Sequence, residues 1–169
     1  FDADAVLETL TFARAMDAVE AALRHDVDPA LDGPRLFSPA PDGEFLLMPA
    51  QGDRFSGLKA LTVAPQNPAR GLEKIQGLYI LLDSGTLAPA AVMEGSSLTA
   101  IRTPAVAISA GRQLAALAPA GAAVPANPQI LVFGAGTQGR GSILAGRSVF
   151  PDATFDVVGR SAERVSQLR

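Results

Sequence analysis

Hydrophobic residues recur along this chain with two different periods. Over residues 11–25, TFARAMDAVEAALRH, Phe12, Met16, Val19 and Leu23 fall three or four apart, the spacing of a helix that buries one face. Thr9 or Thr11 is placed to cap it. A polar, proline-bearing stretch, DPALDGPRLFSPAPDGE, leads into apolar runs near 44–49, 57–63, 77–82 and 89–93. Their short length, and the Gly and Pro between them, predict strands. YILLDSGTLAPAAVME reads as a hairpin with Asp83, Ser84 and Gly85 in the turn. From about 96 to 117 the chain is Ala-rich and helical in character, interrupted by Pro104. Proline favours the first helical position and Thr the cap before it, so Thr103-Pro104 is expected to open that helix.

The segment APAGAAVPANP is low in complexity and reads as a domain boundary. After it the pattern predicts a strand at 130–133, a glycine loop, a helix over about 137–149, a second strand at 154–158 and a helix starting at Ser161. That βαβα order is the first half of a doubly wound sheet. The predicted fold class is therefore α/β. An α+β domain over residues 1–118 is followed by an incomplete Rossmann domain over 119–169. A half-sheet would leave strand edges bare, so these residues are expected to be a fragment of a longer polypeptide.

Composition narrows the function classes. The chain has 169 residues and 48% hydrophobic content, enough for a packed core. Net charge is −3 with 14 scattered Lys and Arg, and no basic stripe suits a nucleic acid. The absence of cysteine removes disulfides and Cys-ligated zinc and points to a cytoplasmic protein; no metal site is expected. FDADAVLETL does not have the form of a secretory signal. The longest uncharged stretch, 113–139, is broken by Pro119, Gly121, Pro125 and Pro128, so a membrane span is not expected.

The candidate chemistry begins at ILVFGAGTQGRG. Within it Gly134, Gly136 and Gly139 form a G-x-G-x-x-G loop, with Thr137 and Gln138 between the last two. The first glycine allows a tight turn, the second lets backbone approach a pyrophosphate, and the third lets helix and strand pack closely. The helix start offers free N–H groups to the phosphates. The end of the second strand, VVGRSAER, carries Arg160 and Ser161 where an NAD site usually has a carboxylate. NADP(H) is therefore favoured over NAD(H), with Arg160 forking to the 2′-phosphate and Ser161 donating to it.

In the first domain Lys59 interrupts an apolar strand, Arg102 and Thr103 stand at the expected helix start, and Arg35 lies on the approach to the first strand. These cations either face solvent or converge on a small anion. His25, at the end of the amphipathic helix, reads as a surface residue. Asp83 reads as a turn residue, and Asn67 and Pro68 as loop-shaping.

The segment GLKALTVAPQNPARGLEKIQGLYILLDSGTLAPAAVMEGSSLTAIRTPAVAISA resembles the signature region of the ornithine cyclodeaminase and mu-crystallin family. It carries a GxK strand, an NP-x-x-GL turn, a QG-x-x-x-L-x-D hairpin and LT-x-x-RT. The likeness runs from DAVEAAL through FLLMPA to GAGTQG. It implies a dimer whose first domain forms the subunit interface and much of the substrate pocket. It also implies that Arg35, Lys59 and Arg102 hold a substrate carboxylate, that Met48 lines the pocket and that Thr103 meets the cofactor phosphates. Lys59 is the catalytic candidate. The family's catalytic aspartate would lie beyond Arg169.

Two departures bear on the substrate. Leu46 stands where ornithine-cyclising members carry an acid, although Glu44 is close by, and Lys74 replaces a Thr after the GL turn. Neither residue suits the charged end of a diamine. The expected activity is NAD(P)-dependent hydride transfer at the C–N bond of a small amino or imino acid, of ketimine reductase or amino-acid dehydrogenase type. Ornithine cyclodeamination and non-catalytic binding of cofactor and small ligand are the alternatives.

Overall fold

The computed structural model describes residues 1–25, 28–119 and 124–168. The chain folds as two compact units, one comprising Phe1–Thr9 and Leu23–Thr99, the other Leu10–Ala22 and Ala100–Arg169.

The first unit is built on an antiparallel meander, β1 (Leu36–Ala40), β2 (Gly43–Ala50), β3 (Phe55–Val63), β4 (Ile75–Asp83) and β5 (Pro89–Glu94), in that spatial order. The four apolar runs are β2 to β5. β1 was hidden by its serine and proline; it is an edge strand, where Pro39 is tolerated. The β4–β5 turn is held by Asp83, which accepts from the backbone N–H and the hydroxyl of Thr86 at 2.9 and 2.7 Å. These bonds hold its carboxyl below the usual range, so Asp83 has the structural role expected of it. A short helix, α1 (Ala3–Thr9), is capped by Asp2, which accepts from the Ala5 N–H at 3.0 Å. At seven residues it is too short for its period to be read from the sequence.

Alternation along the strands separates the side chains of the sheet into two sets. One face carries Phe37, Leu46, Leu61 and Gly77 in one row and Met48, Lys59, Tyr79 and Met93 in the next. The other carries Leu36, Phe45, Leu58, Leu78 and Val92. On this second face Leu36, Phe45, Leu78 and Val92 are 45–53% exposed.

The second unit contains most of α2 (Phe12–Arg24), the greater part of α3 (Gly95–Ala116), β6 (Gln129–Phe133), α4 (Thr137–Val149), β7 (Thr154–Val158) and α5 (Ala162–Ser166). Thr11 caps α2 by accepting from the Arg14 N–H at 3.3 Å. The expected apolar stripe holds at Met16 but fails at Leu23, which is 61% exposed. Glu20 is buried instead. It accepts from the Ser109 hydroxyl at 2.5 Å and forms an ion pair with Arg112, both on α3. β6 and β7 pair in parallel, from Gln129 opposite Thr154 to Phe133 opposite Val158. The helix between them gives the expected βαβα order. Part of the expected linker, residues 120–123, lies outside the described residues. Among the described residues no helix is long and apolar enough to cross a membrane.

One expectation about α3 is corrected. The helix opens at Gly95, where the Glu94 carboxylate accepts from the N–H groups of Ser96 and Ser97 at 2.8 and 2.6 Å. Thr103 is therefore not a cap. Pro104 lies inside the helix and is fully buried. A mid-helix proline costs the carbonyl four residues earlier, Ala100, its partner. It is accommodated because α4 passes close by at a glycine: a Cβ on Gly141 would lie 2.7 Å from Pro104 Cγ and 3.0 Å from Ala100 O.

Candidate functional site

In the second unit the glycine loop joins β6 to α4 with a left-handed residue at Gly134, φ 108°, that a side chain would strain. Gly136 is the N-cap of α4 and has no side-chain cap, so the first N–H groups of the helix are left for a ligand. A Cβ on Gly136 would meet nothing within 4 Å, so the space over it is open. A Cβ on Gly139, by contrast, would overlap the carbonyl oxygen of Gly134. Gly134 and Gly136 thus have the conformation and clearance that suit a bound pyrophosphate, and Gly139 lets the helix pack closely on the loop.

The end of β7 meets this loop. The Gly134 N–H donates to Val158 O at 2.8 Å, and a Cβ on Gly159 would lie 3.3 Å from that of Ala135. Arg160, next in sequence, is exposed. Ser161 caps α5 by accepting from the Arg164 N–H at 3.3 Å, which leaves its hydroxyl proton to donate. Arg102 and Thr103 occupy the turn of α3 that packs, through Pro104, on the second turn of α4. Arg102 is exposed, while Thr103 Oγ1 is buried and has no hydrogen-bond partner among the described residues. An orphaned buried hydroxyl of this kind is open to a polar partner that the chain itself does not supply. The loop and the end of β7 together fit a dinucleotide.

In the first unit the register sets Met48 opposite Lys59 and Lys59 opposite Tyr79, all three half-buried on one face. Arg35 directly precedes Leu36, the partner of Leu47, so extending the register by one residue puts Arg35 in line with Met48. The ladder itself brings together Met48 and Lys59, two of the residues read from the sequence, while Arg35 lies just before β1 and is exposed. Leu46 is on the same face one row away, so the place two before Met48 does face the same side and is apolar. Glu44 shares the face but pairs with Val63 at the exposed end. Lys74 is exposed in the loop before β4.

Tyr79 is the only tyrosine of the chain, and no motif in the sequence marks it. Its position two residues after Gly77 in an apolar strand resembled ordinary packing. Only the cross-strand register shows that it stands beside Lys59.

The profile of the Ornithine cyclodeaminase/mu-crystallin family matches residues 2–167. Nodulation efficiency protein NfeD of Rhizobium meliloti is 31% identical over 170 residues, 98% of this chain and 50% of that protein. Delta(1)-pyrroline-2-carboxylate reductase of Bacillus cereus is 44% identical over 72 residues, 41% of this chain and 22% of that protein. A solved archaeal alanine dehydrogenase dimer with bound NAD superposes with a TM-score of 0.80 at 27% identity, covering 99% of this chain and 50% of that one. The chain thus spans about half the length of the dehydrogenase and of the rhizobial protein. With a family match over nearly every residue, the chain belongs to the ornithine cyclodeaminase/mu-crystallin family.

Proposed function

We propose that this chain provides the substrate-binding part and the first half of the cofactor-binding part of an NAD(P)-dependent oxidoreductase acting at the C–N bond of a small amino or imino acid. The observation that carries this reading is the glycine loop, whose conformation and clearances fit a dinucleotide, in a chain that also sets Lys59 in register with Met48. The names of the pyrroline-2-carboxylate reductase and the alanine dehydrogenase among its relatives support the same chemistry.

In this reading residues 1–118 form the substrate-binding and dimerisation part and 119–169 the start of the dinucleotide domain. Arg35, Lys59 and Arg102 hold the substrate carboxylate, and Met48 lines the pocket. Clamping the carboxylate fixes the α-carbon, and the alignment of that carbon governs the rate. Lys59, an ammonium on a largely apolar face, also polarises the carboxylate-bearing end of the substrate. Thr103 and the loop from Gly134 to Gly139, Thr137 and Gln138 included, bind the phosphates. The bound nicotinamide supplies or accepts the hydride. Arg160 and Ser161, with no carboxylate at the end of β7, favour NADP(H). The apolar, open face of the sheet supports a homodimer, as in the alanine dehydrogenase. The lack of cysteine supports a cytoplasmic setting.

The full-length protein is expected to consume NADPH with Δ1-pyrroline-2-carboxylate, or with pyruvate and ammonia, and to bind NADPH more tightly than NADH. Lys59→Met should lower kcat/KM about 100-fold or more. Release of ammonia from ornithine with no net change in cofactor would favour cyclodeamination instead.

A further inference from the structure

We propose that Tyr79 is the specificity-determining residue of the substrate site, its ring forming the wall that the substituent on the substrate's α-carbon meets. The inference rests on the assignment of Arg35 and Lys59 to the substrate carboxylate, and it names the class of substrate that the same face accepts.

Lys59 and Tyr79 are direct partners across β3 and β4, on one face. Such partners have Cβ atoms about 5 Å apart. The tyrosine ring does not stand clear of the sheet but runs across to Gly57, where a Cβ would overlap the hydroxyl and lie 2.8 Å from Cε1. Gly57 is buried. Only glycine at that position lets the ring lie down beside the lysine. The sequence therefore carries a matched pair, a large flat residue on β4 and an empty position on β3.

The strand registers also set apolar residues near Lys59 on this face. Met48 and Met93 extend its row, Leu46 and Leu61 occupy the next, and Leu81 pairs with Gly57 on the other side. A substrate with its carboxylate on Arg35 and Lys59 would lay its substituent against these carbons and the phenol. The phenol stays neutral there, since burial, and then the charge of Asp32, push its pKa up. A distal ammonium would be desolvated against these carbons, and the nearby Asp32 carboxylate, which acts on the phenol, already accepts from the Gln51 N–H at 2.9 Å. A compact apolar substituent fits, such as the ring of a five- or six-membered cyclic imine or a single methyl.

The test is a series of 2-imino and cyclic-imine carboxylates of increasing substituent size, assayed with NADPH and the full-length protein. Wild type should lose about tenfold or more in kcat/KM between the five-membered ring and an aryl-bearing member. Tyr79→Ala should narrow that ratio about tenfold, whereas Tyr79→Phe, which keeps the ring, should preserve it. Gly57→Ala, which lifts the ring into the site, should raise KM for the small imine. Tyr79→Leu replaces Tyr79→Ala if circular dichroism shows the latter unfolded. An unchanged ratio in the folded variant overturns the proposal. If wild type binds the corresponding amino acids without turnover, the oxidoreductase reading alone fails, and the Kd ratio across the series tests Tyr79 in its place. Binding of no member of the series overturns both.

Discussion

A Cβ has room at Gly136 and none at Gly139, and the contrast separates a ligand requirement from a folding requirement. Gly136 has φ −97°, which any residue adopts. Gly136→Ala should therefore leave thermal stability unchanged while weakening NADPH binding about tenfold or more, equivalent to about 1.4 kcal/mol. Gly139→Ala drives a methyl into the Gly134 carbonyl and should lower both Tm and affinity. Calorimetric titration beside thermal melts reads the two effects apart. Gly136→Ala binding NADPH like wild type would show that the pyrophosphate does not rest on that glycine. These residues were legible because the function of a glycine loop resides in backbone that the spacing of glycines specifies. Tyr79 was not, because its importance comes from a partner 20 positions away in sequence.

At the scale of elements, α2 and α3 are clasped by Glu20. The Ser109 hydroxyl and then the Arg112 guanidinium lower its pKa from 4.5 to about 2. A carboxyl depressed in the folded state stabilises it fully above the unfolded value, and the contribution is lost as pH falls through the folded one. Urea unfolding midpoints should therefore drop between about pH 4.5 and 2 in wild type, and Glu20→Gln should flatten that part of the profile. An identical slope in the variant would exclude the clasp as its source. The helical period of α2 announced an amphipathic helix but read Leu23 as inward and gave no reason to bury Glu20. Amphipathicity marks a stripe, and which polar residue joins it depends on what the neighbouring helix offers. α3 starts before the expected Thr103-Pro104 for a related reason. Pro104 has the local chemistry of a helix start, yet the close passage of Gly141 makes room for it in the interior.

At the scale of the molecule, the face of the sheet opposite Lys59 presents Leu36, Phe45, Leu78 and Val92 about half exposed. A contiguous apolar face of this kind marks an interaction surface. In the proposed dimer each such side chain contributes up to about 1.5–3 kcal/mol, and symmetry counts it twice. Leu78→Asp with Phe45→Asp should convert a dimer to monomer in sedimentation velocity without loss of secondary structure. A variant that stays dimeric would place the interface elsewhere.

By itself the sequence determined the strands β2 to β5, the βαβα order and the glycine loop, because alternation, period and glycine chemistry act over a few residues. It also placed Lys59 and Met48 on strands, without revealing that they are neighbours. Tertiary structure alone decided the register row from Met48 to Tyr79, the burial of Glu20 and of Pro104, and the approach of β7's end to the glycine loop. Each of these depends on which backbone passes close to which, and that is set by packing between segments distant in sequence.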